Sequence, residues 1–184
     1  MSYKMPLAST TSFGSVEVGT GLSVTDGVIS ATLGLLNYGF YHSNVIQTNP
    51  VASATNLLTF NGIGPQNGIS IVGGTQVTVV NSGTYTKLFT VIISKTSGGT
   101  SDISIWLRYN GTDLPGSRQD LELTNTLALI FASGNYTLDM AAGSNIQMCW
   151  SSADTTVSMT ALPAAITPTR PDGYSAKVTL TRIS

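Results

Sequence analysis

Apolar and polar residues alternate along much of this chain with a period of two. From 103 to 109 every odd position is Ile, Leu or Tyr, whereas Ser104, Trp106 and Arg108 occupy the even positions. From 146 to 150 the even positions carry Ile, Met and Trp, after a turn at 141–144. Because successive side chains of a strand point to opposite faces, this period predicts β-strands.

The segment from residue 84 to 94 is apolar on both of its faces. Phe89, Val91 and Ile93 share one face, and Leu88 and Ile92 share the other. A strand that is apolar on both sides is normally buried on both sides. We therefore expect one face to meet the domain core and the other to meet a second sheet or a partner subunit.

The remaining chain consists of short apolar runs separated by turn residues. Strands are predicted at 35–44 and 57–63, and Gly62, Gly64, Pro65 and Gly68 predict a turn-rich crossing. Turn signals recur every eight to twelve residues, and no segment has a convincing helical period. These features predict an all-β fold, an antiparallel jelly-roll sandwich, over residues 35–184.

The first 34 residues differ from the rest and form a predicted anchoring arm. Residues 1–12 are polar, and three very short apolar pieces follow, with Asp26-Gly27 predicting a hairpin between the last two. Strands this short are not stable alone, so we expect them to dock on a neighbour. The apolar residues predicted to anchor the arm are Tyr3, Leu7, Phe13, Val16, Val18, Leu22 and Val24.

Composition limits the possible partners. Only 9% of the residues are charged while 41% are hydrophobic, which favours burial of surface against identical copies. The net charge of −1 argues against nucleic-acid binding. Cys149 is the only cysteine, so no intrachain disulfide can form. No run of 18 apolar residues and no apolar N-terminal segment is present, so we expect neither membrane insertion nor a signal peptide.

Residues 7–31 resemble a short module of tailed-bacteriophage fibre and virion proteins, especially those of cyanophages. Ser15 stands where that family commonly has a second glycine. The resemblance implies a place on a virion for the N-terminal arm. The matching positions are Ala8, Thr10, Thr11, Gly14, Val16, Val18, Gly19, Gly21, Leu22, Asp26, Gly27 and Val28.

The main domain resembles the C1q and tumour-necrosis-factor-like (TNF-like) jelly roll. Residues 83–94, 106–117 and 136–150 match three of its strand regions, with Ser144 where the family usually has aspartate. The end of the chain also resembles C1q-like modules of marine and cyanophage virion proteins, at Trp150, Ser151, Ser152, Asp154, Thr155, Pro163, Pro168, Pro171, Ser175, Val178, Thr179 and Ile183. The resemblance implies a homotrimer. We predict that its contacts include Phe89, Val91, Trp106, Tyr109 and Trp150.

Candidate catalytic groups are few. His42 is the only histidine, and no nucleophile motif accompanies it. Asp120 and Glu122 are the closest carboxylate pair that could serve glycoside hydrolysis, or alternatively calcium binding, but a solvated surface is favoured. We predict no catalytic residue, no cofactor and no metal site.

Together these features predict a non-enzymatic virion structural protein of a tailed phage, made in the host cytoplasm and placed on the particle surface. The predicted role is capsid decoration, in which the arm contacts the major capsid protein or another virion protein. The first alternative is a tail-fibre or head-fibre tip that binds a host glycan, with Trp106 and Tyr109 as candidate contacts. The second is a trimeric polysaccharide-degrading enzyme, which the scarcity of histidine and clustered carboxylates disfavours.

Overall fold

The computed structural model describes residues 22–25, 28–31, 36–125 and 129–184. Every regular element in these ranges is a β-strand. The strands are β1 (Leu22–Thr25), β2 (Val28–Ala31), β3 (Tyr38–Ser43), β4 (Gln47–Thr48), β5 (Asn56–Leu57), β6 (Gly62–Asn67), β7 (Ile69–Val72), β8 (Gln76–Val79), β9 (Gly83–Lys95), β10 (Ser101–Tyr109), β11 (Thr112–Asp113), β12 (Gln119–Leu123), β13 (Ile130–Met140), β14 (Asn145–Ser151), β15 (Val157–Met159), β16 (Ala165–Ile166), β17 (Thr169–Arg170) and β18 (Ala176–Arg182).

The chain divides into two units, residues 1–35 and residues 36–184. In the first unit, β1 and β2 pair antiparallel, with Leu22 opposite Ala31 and Thr25 opposite Val28. This pairing confirms the hairpin that the Asp-Gly pair predicts. The other predicted anchoring residues before Leu22, from Tyr3 to Val18, lie outside the described residues.

The second unit is a sandwich of two antiparallel sheets, each of seven strands. Sheet A has the order β11-β10-β14-β8-β7, with β12 also paired to β10 and β5 to β14. Sheet B has the order β4-β15-β9-β18-β3-β6, with β13 also paired to β9. A separate small hairpin joins β16 to β17. The predicted all-β sandwich is confirmed.

The core lies between the sheets and is built from the alternating rows that the sequence shows. Sheet A contributes Ile103, Ile105 and Leu107 from β10, and sheet B contributes Phe89 and Val91 from β9, all of them buried. Burying an aliphatic or aromatic side chain of this size stabilises the fold by about 1.5–3 kcal/mol relative to exposure. The facing rows therefore hold the two sheets together.

The structure corrects the prediction for the segment between residues 57 and 68. The predicted strand at 57–63 is interrupted, because β5 ends at Leu57 and β6 begins at Gly62. The glycine-rich stretch predicted as a crossing forms β6 itself, paired to β3. Its glycines have a packing reason, since a Cβ on Gly64 would lie 2.4 Å from Cδ1 of the Phe40 ring.

Candidate functional site

A cleft of about 490 Å³ lies on the outer side of sheet A. Its lining comes from the outward row of β10, from the end of β14 and from two loops. One loop joins β4 to β5, and the other joins β11 to β12. The lining residues, called the Trp106 cleft below, are Ser53, Thr55, Ser104, Trp106, Asp113, Leu114, Pro115, Gly116, Arg118 and Ser151.

The indole of Trp106 is held in one orientation. Its Nε1 donates a hydrogen bond of 2.9 Å to Oδ1 of Asp113. Asp113 can reach it because β10 turns back through Asn110 and Gly111, whose φ angles of 45° and 82° lie in the left-handed region. The same turn places Asp113 opposite Arg108 in the sheet register. The ring is therefore preorganised as one wall of the cleft.

Two arginine–aspartate pairs surround this ring. Arg108 Nε donates to Asp113 Oδ1, and Arg118 Nε donates to Asp120 Oδ1, each at 2.8 Å. Hydrogen bonds from Arg108 and then Trp106 lower the pKa of Asp113. Hydrogen bonds from Arg118 and then Ser104 lower the pKa of Asp120. Both carboxylates are thus ionised at neutral pH, and each is balanced by one guanidinium.

The outer face of sheet B has a different character. It consists of the outward residues of β3, β18, β9 and β13, and it is called the Leu88 face below. At its centre Leu88 is 51% exposed, and at its edge Phe131 is 61% exposed. Thr179 and Asn135 flank Leu88 in the register. Lys177 and Asp139 are the charged residues on this face, and Ile92 is already buried within the chain. The members of the face are Tyr38, Phe40, His42, Thr84, Thr86, Leu88, Thr90, Ile92, Ser94, Phe131, Ser133, Asn135, Thr137, Asp139, Lys177, Thr179 and Thr181.

An aromatic stack extends the Leu88 face at β3. The ring of His42 stacks on Tyr174 at 4.0 Å and on Phe40 at 5.6 Å between ring centroids. Gly62 leaves the room that the His42 ring fills, since a Cβ there would lie 2.1 Å from Nε2. The stack therefore adds flat apolar area beside the sheet.

We compared this chain with known protein families, curated proteins and solved structures. The chain matches no protein-family model, and no curated protein matches it. Among solved structures it is similar to Eiger TNF from S. frugiperda, with 12% identity, a TM-score of 0.51, and coverage of 81% of this chain and 93% of that one. It is also similar to murine APRIL at pH 8.5, with 10% identity, a TM-score of 0.50, and coverage of 80% and 99%. The fold is a TNF-like jelly roll. At these identities the likeness concerns the fold alone.

Within this TNF-like jelly roll the five predicted trimer contacts do not share a surface. Phe89, Val91 and Trp150 lie in the core between the sheets and are at most 2% exposed, so they offer no area to a second subunit. Their row points inward because it packs against the opposite sheet, and the adjacent row points outward. Trp106 and Tyr109 belong to sheet A, on opposite faces of β10. The outward residues of sheet B are instead those of the Leu88 face.

The candidate catalytic residues are not brought together. The Nδ1 atom of His42 has no hydrogen-bond partner among the residues that the structure describes, and aromatic rings surround it. Asp120 is held by Arg118 and Ser104, and Glu122 lies exposed two residues further on. Within the described ranges no three His, Cys, Asp or Glu side chains cluster as metal ligands, and no helix is long and apolar enough to cross a membrane.

Several residues of the two surfaces were missed by sequence reasoning. Asp113, Pro115 and Arg118 come from a short strand and a loop, where no periodicity marks them. The outward position of Trp106 was visible in the alternation of β10. The apolar character of Leu88 was also visible, but alternation alone does not say which of two apolar rows faces the core.

Proposed function

We propose that this protein is a non-enzymatic structural protein that assembles as a homotrimer through the Leu88 face. The observation that supports this most directly is the half-exposed Leu88 at the centre of a seven-stranded sheet. A sheet face that stays in water normally carries charged and polar side chains. Here most of the polar side chains are uncharged, and Leu88 and Phe131 lie among them at least half exposed, which favours a second protein surface that covers them.

Another copy of the same chain is the partner that fits this face best. Lys177 and Asp139 are its only charged residues, so a second copy could cover this face while burying few charges. Apolar and aromatic side chains such as Leu88 and Phe40 are the kind that provide contact energy at the centre of subunit interfaces. The number three is supported by the resemblance of the sequence to C1q and TNF-like jelly rolls, which implies a homotrimer.

The trimer's place is proposed to be the surface of a tailed-phage particle, where it decorates and stabilises the capsid. This part rests on the resemblance of residues 7–31 and 150–183 to virion modules. The N-terminal arm would contact the major capsid protein or another virion protein. A tail-fibre or head-fibre tip is the second candidate, and the Trp106 cleft on the other sheet favours it because such a tip must bind a ligand.

The assembly is tested by placing a charge at the centre of the Leu88 face. We expect Leu88→Glu to abolish the trimer, because three copies would bury unpaired carboxylates together. Val72→Glu is the matched control, since Val72 is 49% exposed on β7 of sheet A. Sedimentation velocity should give a monomer for Leu88→Glu and a trimer for Val72→Glu. A trimer that survives Leu88→Glu would contradict the proposed interface.

The location is tested by cryo-EM or immunogold labelling of particles. Labelling over the capsid supports decoration, and labelling only at the tail would contradict it. Deletion of residues 1–31 should leave a trimer that no longer joins the particle. Incorporation of the shortened chain would refute an anchoring role for the arm.

A further inference from the structure

The Trp106 cleft has features that the proposed assembly does not use. It lies on sheet A, whereas the Leu88 face lies on sheet B. Its volume of about 490 Å³ falls within the range of small-ligand sites. The partly exposed indole of Trp106 gives it a flat apolar surface, and the ring of Pro115 adds further apolar area.

The charge of the cleft limits the ligand. The guanidinium of Arg108 is paired with Asp113, and that of Arg118 is paired with Asp120. Each pair sums to zero, so the cleft presents no excess positive charge to a phosphate, sulfate or carboxylate. A neutral ligand is therefore favoured over an anionic one.

Polar groups around the ring suit a ligand that carries many hydroxyls. Ser53, Thr55 and Ser151 line the cleft, and hydroxyl side chains can both donate and accept hydrogen bonds. Asp113 accepts hydrogen bonds from Trp106 Nε1 and Arg108 Nε at the same atom, Oδ1. Its other oxygen, Oδ2, can therefore accept a hydrogen bond from the ligand. Arg118, with a side chain 68% exposed, supplies donors at the rim.

We propose that the Trp106 cleft binds a neutral oligosaccharide, with one sugar ring stacked on the indole of Trp106 and its hydroxyls bound by Asp113, Arg118 and the serine and threonine side chains. A sugar ring has an apolar face of axial C–H groups and an edge of hydroxyls, which matches a fixed aromatic wall with polar groups beside it. The Nε1 bond to Asp113 fixes the ring before binding, which reduces the entropy lost on complex formation. The proposal is independent of the assembly, because either can fail without the other.

The two tryptophans make the binding easy to follow. Trp150 is buried in the core, so an aqueous quencher such as acrylamide reaches Trp106 preferentially. The protein would first be applied to a glycan array of neutral, sialylated and sulfated oligosaccharides. The neutral glycans that bind on the array should then protect Trp106 from quenching by acrylamide. Calorimetry should show saturable binding and give a dissociation constant for each of them.

Variants separate stacking from general surface effects. Trp106→Ala should weaken binding by about tenfold or more, and Trp106→Phe, which keeps a ring, by about threefold. Glu122→Gln is the control, since it removes one carboxylate from the same sheet outside the cleft and should leave the dissociation constant unchanged. Circular dichroism of Trp106→Phe checks the fold. Absence of binding to every neutral glycan, a preference for sialylated or sulfated glycans, or unchanged binding by Trp106→Ala would each overturn the proposal.

Discussion

The two outer faces of this sandwich differ in their charged and apolar side chains. On sheet A the charges occur in pairs, and Trp106 is fixed by a hydrogen bond to Asp113. On sheet B the Leu88 face has hydroxyls and apolar side chains, with Leu88 half exposed in the middle. A face with paired charges is stable in water and can hold a polar ligand. A face with few charges and exposed apolar side chains is the kind that another protein surface commonly covers, which is the basis of the proposed assembly.

The contrast becomes sharper when the outer side of sheet A is compared with its inner side. Trp150 is fully buried in the core, whereas Trp106 lies partly exposed at the cleft. We expect Trp150→Ala to lower the free energy of unfolding by about 3–5 kcal/mol, because it leaves a large cavity. Trp106→Ala should cost about 1 kcal/mol or less. Urea unfolding of both variants measures the difference, and equal losses would contradict the assignment of the two faces.

On sheet B it is the inner side that contains an unusual residue, a buried lysine. Lys87, next to Leu88 in β9, points into the core, is fully buried, and has no hydrogen-bond partner for Nζ within the described part of the chain. Burial lowers its pKa well below the usual value, which favours the neutral amine in the folded protein. Its Nζ lies 5.0 Å from the centroid of the Phe89 ring.

Replacing this lysine should stabilise the protein and change its pH dependence. Between its folded and unfolded pKa values Lys87 is protonated only when unfolded, so stability is lost as the pH falls below about 10, at roughly 1.4 kcal/mol per unit. We expect Lys87→Met to raise the free energy of unfolding at pH 7 by at least about 2 kcal/mol and to flatten the slope in the pH range just below 10. An unchanged slope in urea titrations across this range would show that Lys87 is not buried as an unpaired amine.

The smallest effect is expected at the surface ion pair of sheet A. Asp113→Asn removes the charge that Arg108 contacts but keeps an oxygen that can accept from Trp106. Because the Asp113 side chain is 58% exposed, solvent screens the pair and the loss should be below about 1 kcal/mol. The oligomeric state should not change. A loss above about 2 kcal/mol would contradict solvent screening of this pair, and dissociation of the proposed trimer would indicate that sheet A rather than sheet B carries the subunit contacts.

The sandwich could be predicted from the sequence because strand alternation survives in nearly every core element, such as β10 and β14. The orientation of β9 could not, because both of its rows are apolar and the inward row contains Lys87, which argues locally against burial. The physical reason for its orientation is the packing of Phe89 and Val91 against the opposite sheet, which involves contacts distant in sequence. The Trp106 cleft was only partly predictable, since the position of Asp113 depends on the left-handed conformation of Asn110 and Gly111.

The mass of the unmodified protein in solution tests the central claim most directly. Sedimentation equilibrium at micromolar concentration should give a single species of three times the 19.2 kDa chain mass. Oxidative footprinting of the same sample should find Leu88 and Phe131 protected and Trp106 reactive. A stable species of 19.2 kDa with Leu88 reactive would contradict assembly through the Leu88 face.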